Sequence, residues 1–201
     1  MQRDRSNGWE AVAGRFMAQR SSIGADTVRA WSRALPSRAS VLDLGCGAGV
    51  PISEALMDAG CEVSGVDASP SLVAEFRRRF PEAPVVCEPV EESGFFARSY
   101  DGIVAIGLLF LLQPGVQEAV IRRVAAALKP GGRFLFTAPV QASAWADLLT
   151  GRRSVSLGRE AYRRTLRSAG LEVIGEYVDE GENHYFDAAR LVAAAGPGAA
   201  G

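Results

Sequence analysis

Val41-Leu42-Asp43-Leu44-Gly45-Cys46-Gly47-Ala48-Gly49-Val50 passes from an apolar strand through three glycines and into a helix. Glycines so placed permit a tight turn and let a ligand approach the backbone where a Cβ would clash. The start of the helix behind them presents unpaired N–H groups. A dinucleotide loop would read Gly-x-Gly-x-x-Gly, and in register from Gly45 its third glycine would fall where Val50 stands. The chain reads Gly-x-Gly-x-Gly instead, with Asp43 two residues ahead of Gly45.

Outward from this loop, strand-like and helix-like segments alternate. Two helices are predicted ahead of it, over 8–20 and 24–35. After it come a helix over 50–59 and a strand over 62–66. Ser69-Pro70 then opens a helix to about Arg79, with serine as the cap and proline at the first position. Strands follow at 85–87, 102–106 and 133–137, the last two separated by a helix over 115–128 and a Lys129-Pro130-Gly131-Gly132 turn. A helix over 158–169 and strands over 171–178 and 185–191 complete the pattern, with Asp179-Glu180-Gly181-Glu182 reading as the turn of a hairpin. Such alternation predicts an α/β three-layer sandwich around a mostly parallel sheet. Ligands in such sheets bind outside the carboxyl ends of the strands.

Asp67 ends the second strand, 22 residues after Gly45. A carboxylate there can accept hydrogen bonds from both hydroxyls of a ribose. The competing reading is a helix cap, a task for which Ser69 is better placed. Together Asp43, the glycines and Asp67 predict a nucleoside cofactor.

The Asp-x-Gly-x-Gly-x-Gly stretch resembles motif I of the class I S-adenosylmethionine-dependent methyltransferases of small-molecule type. Tyr100-Asp101 resembles the aromatic-Asp opening of that family's fourth strand, and Leu128-Lys129-Pro130-Gly131-Gly132 its turn before strand five. The matches run from about residue 40 to 138. The resemblance implies a Rossmann-like, seven-stranded sheet of order 3-2-1-4-5-7-6 with the last strand antiparallel, and an N-terminal helical lid. It implies S-adenosylmethionine as cofactor and S-adenosylhomocysteine as product. Its cofactor-binding residues would be Asp43, Gly45, Cys46, Gly47 and Gly49 in the loop, then Asp67 and Ala68 for the ribose. Glu88, Pro89 and Val90 would lie near the adenine, and Ile106 and Gly107 would edge the site. Arg20 is a candidate partner for the cofactor's carboxylate, with surface exposure as the competing reading.

The acceptor leaves fewer marks. Ile106-Gly107-Leu108-Leu109 stands where amino-group methyltransferases often carry Asn/Asp-Pro-Pro-aromatic, and no acidic cluster suggests a metal. The apolar run Gly107–Leu112 predicts a small, fairly apolar acceptor, methylated on O, N or S, although plain core packing accounts for most of these residues. Candidate pocket residues are Trp9, Phe110, Trp145, Tyr162, His184 and Tyr185. His184, the single histidine, is the candidate general base.

The chain of 201 residues fits one domain, expected over 1–192, with a flexible Ala/Gly/Pro tail at 193–201. A net charge of -1 disfavours nucleic acid as partner. No apolar run approaches the length of a membrane helix. Three cysteines without framework spacing, and a polar N-terminus, fit a cytoplasmic monomer or homodimer. The competing readings are a methyltransferase acting on RNA or protein, an NAD-dependent oxidoreductase, and a non-catalytic nucleoside-binding module.

Overall fold

The computed structural model describes residues 4–191. The expected tail at 193–201 lies outside the described residues. Two helices, α1 (Trp9–Gln19) and α2 (Ala25–Ser32), precede the sheet. The chain then alternates through β1 (Ser40–Leu44), α3 (Ile52–Asp58), β2 (Glu62–Asp67), α4 (Pro70–Arg79), β3 (Val85–Cys87), β4 (Tyr100–Ala105), α5 (Pro114–Ala127) and β5 (Leu128–Thr137). A short hairpin, β6 (Ser143–Ala146) and β7 (Arg153–Ser156), comes before α6 (Arg159–Ser168), β8 (Leu171–Val178) and β9 (His184–Arg190).

Seven strands form one sheet in the order β3-β2-β1-β4-β5-β9-β8, the expected arrangement. The first five are parallel, and β9 pairs antiparallel with both β5 and β8. All five residues of β1 are buried, because helices cover both of its faces. On one face Val28 and Trp31 of α2 and Ile52 and Leu56 of α3 pack on Val41, Val104, Leu135 and Tyr185. On the other, Val120 and Val124 of α5 and Tyr162 and Leu166 of α6 pack on Ile103, Phe134, Phe136 and Phe186.

Local chemistry sets the element ends. Ser69 accepts a hydrogen bond from the Leu72 N–H at 3.3 Å, and Pro70 takes the first position of α4, as the sequence predicts. Lys129–Gly132 does turn, but inside β5. Tyr100 pairs with Leu128 and Gly102 with Arg133, so the intervening residues bulge from the ladder. The β6–β7 hairpin carries no alternating apolar pattern, and its strands are not among the predicted ones.

Asp187 is fully buried in β9 and joins four elements. It pairs with Arg133 of β5, and it accepts from Trp31 Nε1 of α2 at 3.1 Å and from the Tyr177 hydroxyl of β8 at 3.0 Å. Three partners offset the desolvation of the carboxylate. Removing it leaves the Arg133 guanidinium uncompensated. Asp187→Ala is expected to lower the free energy of unfolding by about 3–5 kcal/mol in urea titrations, whereas a loss below about 1 kcal/mol would show the cluster to be dispensable.

Candidate active site

At the carboxyl end of the sheet, where the strand order reverses between β1 and β4, lies a cavity of about 280 Å³. Doubly wound sheets open such a crevice there because neighbouring connections leave to opposite faces. The floor is the glycine loop. Gly45, Gly47 and Gly49 have φ of 71°, 55° and 84°, the left-handed region that favours glycine. A Cβ on Gly45 would stand 3.0 Å from Leu108 across the cavity, and one on Gly47 would stand 3.4 Å from Phe16.

Asp67 fastens this loop to the end of β2. Its Oδ2 accepts from the Gly47 N–H at 2.9 Å and its Oδ1 from the Ser69 N–H at 2.8 Å. The helix-cap reading of Asp67 therefore holds in part. It caps the turn into α4, yet each oxygen keeps a lone pair and the residue lines the cavity. Burial raises the carboxyl's proton affinity, and the backbone donors oppose that. Asp43, almost fully buried, also lines the cavity and accepts from Ser53 Oγ at 2.6 Å. Burial pushes its pKa up to about 7; the Asp67 charge adds to the rise, and Ser53 and Arg20 pull against it.

The N-terminal segment roofs the cavity. Glu10 of α1 accepts from the Ser69 and Ser71 hydroxyls and from the Ser71 N–H, clamping α1 to the start of α4. Ala13 packs with Ala48 and Leu72. Arg5 pairs with Glu92, Asn7 donates to the Leu111 carbonyl at 3.2 Å, and Arg20 donates to the Val50 carbonyl at 3.1 Å.

Of the predicted residues, Asp43, Gly45, Cys46, Gly47, Asp67, Ala68, Pro89, Val90, Ile106, Gly107, Arg20, Trp9 and Phe110 line this one cavity. The others do not. A Cβ on Gly49 would lie 2.4 Å from Phe80 and 2.9 Å from Phe76, so that glycine makes room for an aromatic pair beneath the loop. Glu88 is half-buried behind the wall, which the chain reaches only at Pro89, Val90 and Glu91. Tyr162 is fully buried and donates to Gln117 Oε1 at 2.7 Å among Phe136 and Phe186, a core position. Tyr185 is buried against α2 and donates to Asp179 at 2.8 Å. Trp145 packs against Phe110 at 5.5 Å without itself lining the cavity.

His184, the expected general base, does not line the cavity. Its Nε2 lies 2.8 Å from Glu176 Oε2, and Glu176 also pairs with Arg159 and Arg163. The ring packs edge-on against Phe186 at 4.8 Å, and Phe186 belongs to the core that α6 covers. Ser53, Phe16, Glu91 and Asp147 are not among the residues expected from the sequence, whereas Leu111 and Leu112 lie in the apolar run that is. Ser53 had a signal in its place one turn into the helix after the loop; Asp147 sits in the unpredicted hairpin and had none. Among the described residues no group of three or more metal-ligating side chains occurs, and no helix is long and apolar enough to cross a membrane.

Residues 41–132 match the family model described as a methyltransferase domain. The ubiquinone biosynthesis O-methyltransferase of Xanthomonas axonopodis pv. citri is 29% identical over 161 residues, 78% of this chain and 59% of that protein. The Coxiella burnetii protein of the same name is 36% identical over 101 residues, 48% of this chain and 42% of that protein. The chain thus spans less than two thirds of the length of these curated relatives. The CcbJ methyltransferase of Streptomyces caelestis superposes with a TM-score of 0.75 at 17% identity, over 96% of this chain and 100% of that one. The 1,6-didemethyltoxoflavin-N1-methyltransferase of Burkholderia thailandensis, solved with S-adenosylhomocysteine, superposes with a TM-score of 0.73 at 21% identity, over 91% and 84%. At these identities the structures establish a shared fold.

The Asp43 carboxyl holds a proton in the fold at pH values where the unfolded chain has lost it. It therefore favours folding below about pH 4, and that contribution disappears as pH rises to about 7. Asp43→Asn keeps an oxygen for Ser53. The variant's stability relative to the native protein is expected to rise by about 1–3 kcal/mol between pH 5 and pH 8 in parallel urea titrations. A difference that does not change with pH would show that Asp43 is already ionised at pH 5.

Proposed function

We propose that the chain is a class I, S-adenosylmethionine-dependent methyltransferase that transfers a methyl group from that cofactor to a small, fairly apolar molecule, a reading that the methyltransferase-domain match over residues 41–132 supports. The observation that carries the reading is Asp67, set at the end of β2 and bonded to the Gly47 N–H, with lone pairs left on the cavity side. A ribose needs such a carboxylate, and the Cβ-free cradle at Gly45 and Gly47 suits the amino-acid portion of the cofactor.

In this reading Asp67 and Ala68 hold the ribose, and Pro89 and Val90 flank the adenine. Gly45, Cys46 and Gly47 contact the amino-acid portion, with Asp43 behind them. Arg20 receives the cofactor's carboxylate, and Ile106 and Gly107 edge its reactive end. The bound cofactor supplies the activated methyl group. The protein excludes water and aligns the acceptor, for which Trp9, Phe110, Leu111 and Leu112 are the available wall. The curated relatives favour an oxygen acceptor. The rest of the proposal is a single domain, monomeric or dimeric, working in the cytoplasm on a small molecule and not on nucleic acid.

Asp67→Ala is expected to weaken S-adenosylhomocysteine binding by about 1–3 kcal/mol in calorimetric titrations. An unchanged affinity in a folded variant would refute the ribose assignment. His184→Ala is expected to keep turnover within about twofold of the native protein once an acceptor is in hand, because the ring lies off the cavity. A loss of a hundredfold or more would return His184 to the chemistry.

A further inference from the structure

Beyond the cofactor loops the cavity wall is apolar, built from Leu108, Phe110, Leu111 and Leu112. Arg5, Ser6, Asn7 and Glu91 also line the cavity, and of these Arg5 pairs with Glu92, Ser6 donates to Asp4 and Asn7 donates to the Leu111 carbonyl; Trp9 and Asp147 each keep a polar atom without a partner. Asp147 lines the cavity from the turn between β6 and β7. Its Oδ1 accepts from the N–H groups of Leu149 at 3.0 Å and Thr150 at 2.8 Å, and from the Thr150 hydroxyl at 2.8 Å. Three donors on one oxygen fix the carboxylate's orientation. Its Oδ2 makes no hydrogen bond or ion pair among the described residues.

Trp9 lines the same cavity from the first turn of α1, and its indole Nε1–H is buried without a partner. A buried donor left unpaired is costly, so natural structures seldom keep one without a use. The two groups sit on touching segments. A Cβ on Gly8, next to Trp9, would lie 3.4 Å from Cβ of Thr150, the residue that holds Asp147. Of the arginines that line the cavity, Arg5 pairs with Glu92 and Arg20 donates to the Val50 carbonyl.

A free donor and a free acceptor on an apolar wall complement a hydroxyl, which donates and accepts at once. A carboxylate would be repelled by Asp147. An ether gives it nothing, and an ammonium leaves the indole N–H unpaired. We propose that Trp9 and Asp147 together recognise a hydroxyl on an otherwise apolar methyl acceptor. The indole N–H donates to the hydroxyl oxygen, and the hydroxyl donates to Asp147 Oδ2. This rests on the methyltransferase reading above and adds the polar group by which the acceptor is selected.

The test uses the full chain saturated with S-adenosylhomocysteine and three probes on one ring system: 2-naphthol, 2-methoxynaphthalene and 2-naphthoate. By calorimetry, the naphthol is expected to bind at least about tenfold more tightly than the ether or the acid. Asp147→Asn and Trp9→Phe are each expected to cut that preference to about threefold or less, with S-adenosylhomocysteine affinity kept within about twofold. A panel in which the naphthol has no advantage, or in which none of the three binds, overturns the proposal. So does a preference that survives both substitutions. Failure of the native protein to bind S-adenosylhomocysteine would instead overturn the methyltransferase reading, so the two failures are distinguishable.

Discussion

The Asp67 carboxylate spans the gap between two crossover connections. One oxygen holds the Gly47 N–H of the loop after β1, and the other holds the Ser69 N–H at the start of α4. Those loops belong to neighbouring parallel strands, so one side chain fixes the spacing of the cavity floor. The roof depends on the same point. Glu10 grips Ser69 and Ser71, and Ser69 caps α4 immediately after the turn that Asp67 organises. Without Asp67 the glycine loop would lose its side-chain anchor and α1 would lose the register of its clamp.

The cavity gathers negative charge. Asp43 and Asp67 both line it and both have proton affinities raised by burial; the Asp67 charge raises that of Asp43 further, and Glu10 raises that of Asp67. Ser53 and the backbone donors offset part of this. A floor so built is costly when empty and gains from a ligand that brings positive charge or hydroxyl donors. S-adenosylmethionine, with a sulfonium, an ammonium and a ribose, has both.

Stability and chemistry are separated in space. The buried Asp187 cluster ties α2, β5, β8 and β9 together at the antiparallel side of the sheet. His184, Tyr162 and Tyr185 belong to that side too, where they complete packing and ion pairs. The parallel side, at β1, β2 and β4, carries the cavity. The histidine and the two tyrosines that the sequence offers as pocket candidates therefore lie outside the cavity lining.

The sequence alone determined the parallel order of elements, the glycine loop and the two acidic residues beside it. Each is governed by local rules: strand and helix periodicity, caps, and backbone angles open only to glycine. The sequence also offered Trp9 and Phe110 as pocket candidates, and both line the cavity. Only the tertiary structure decided which face each late side chain takes. His184 and Tyr185 are adjacent in β9 and so point to opposite faces, and neither faces the cavity. It also decided that Gly49 faces an aromatic pair beneath the loop, and that Asp147, on a hairpin without apolar alternation, brings a further carboxylate to the cavity. Those assignments depend on contacts between separate elements, as between Gly49 and Phe80, Asn7 and Leu111 or Arg15 and Leu149, which no local pattern encodes.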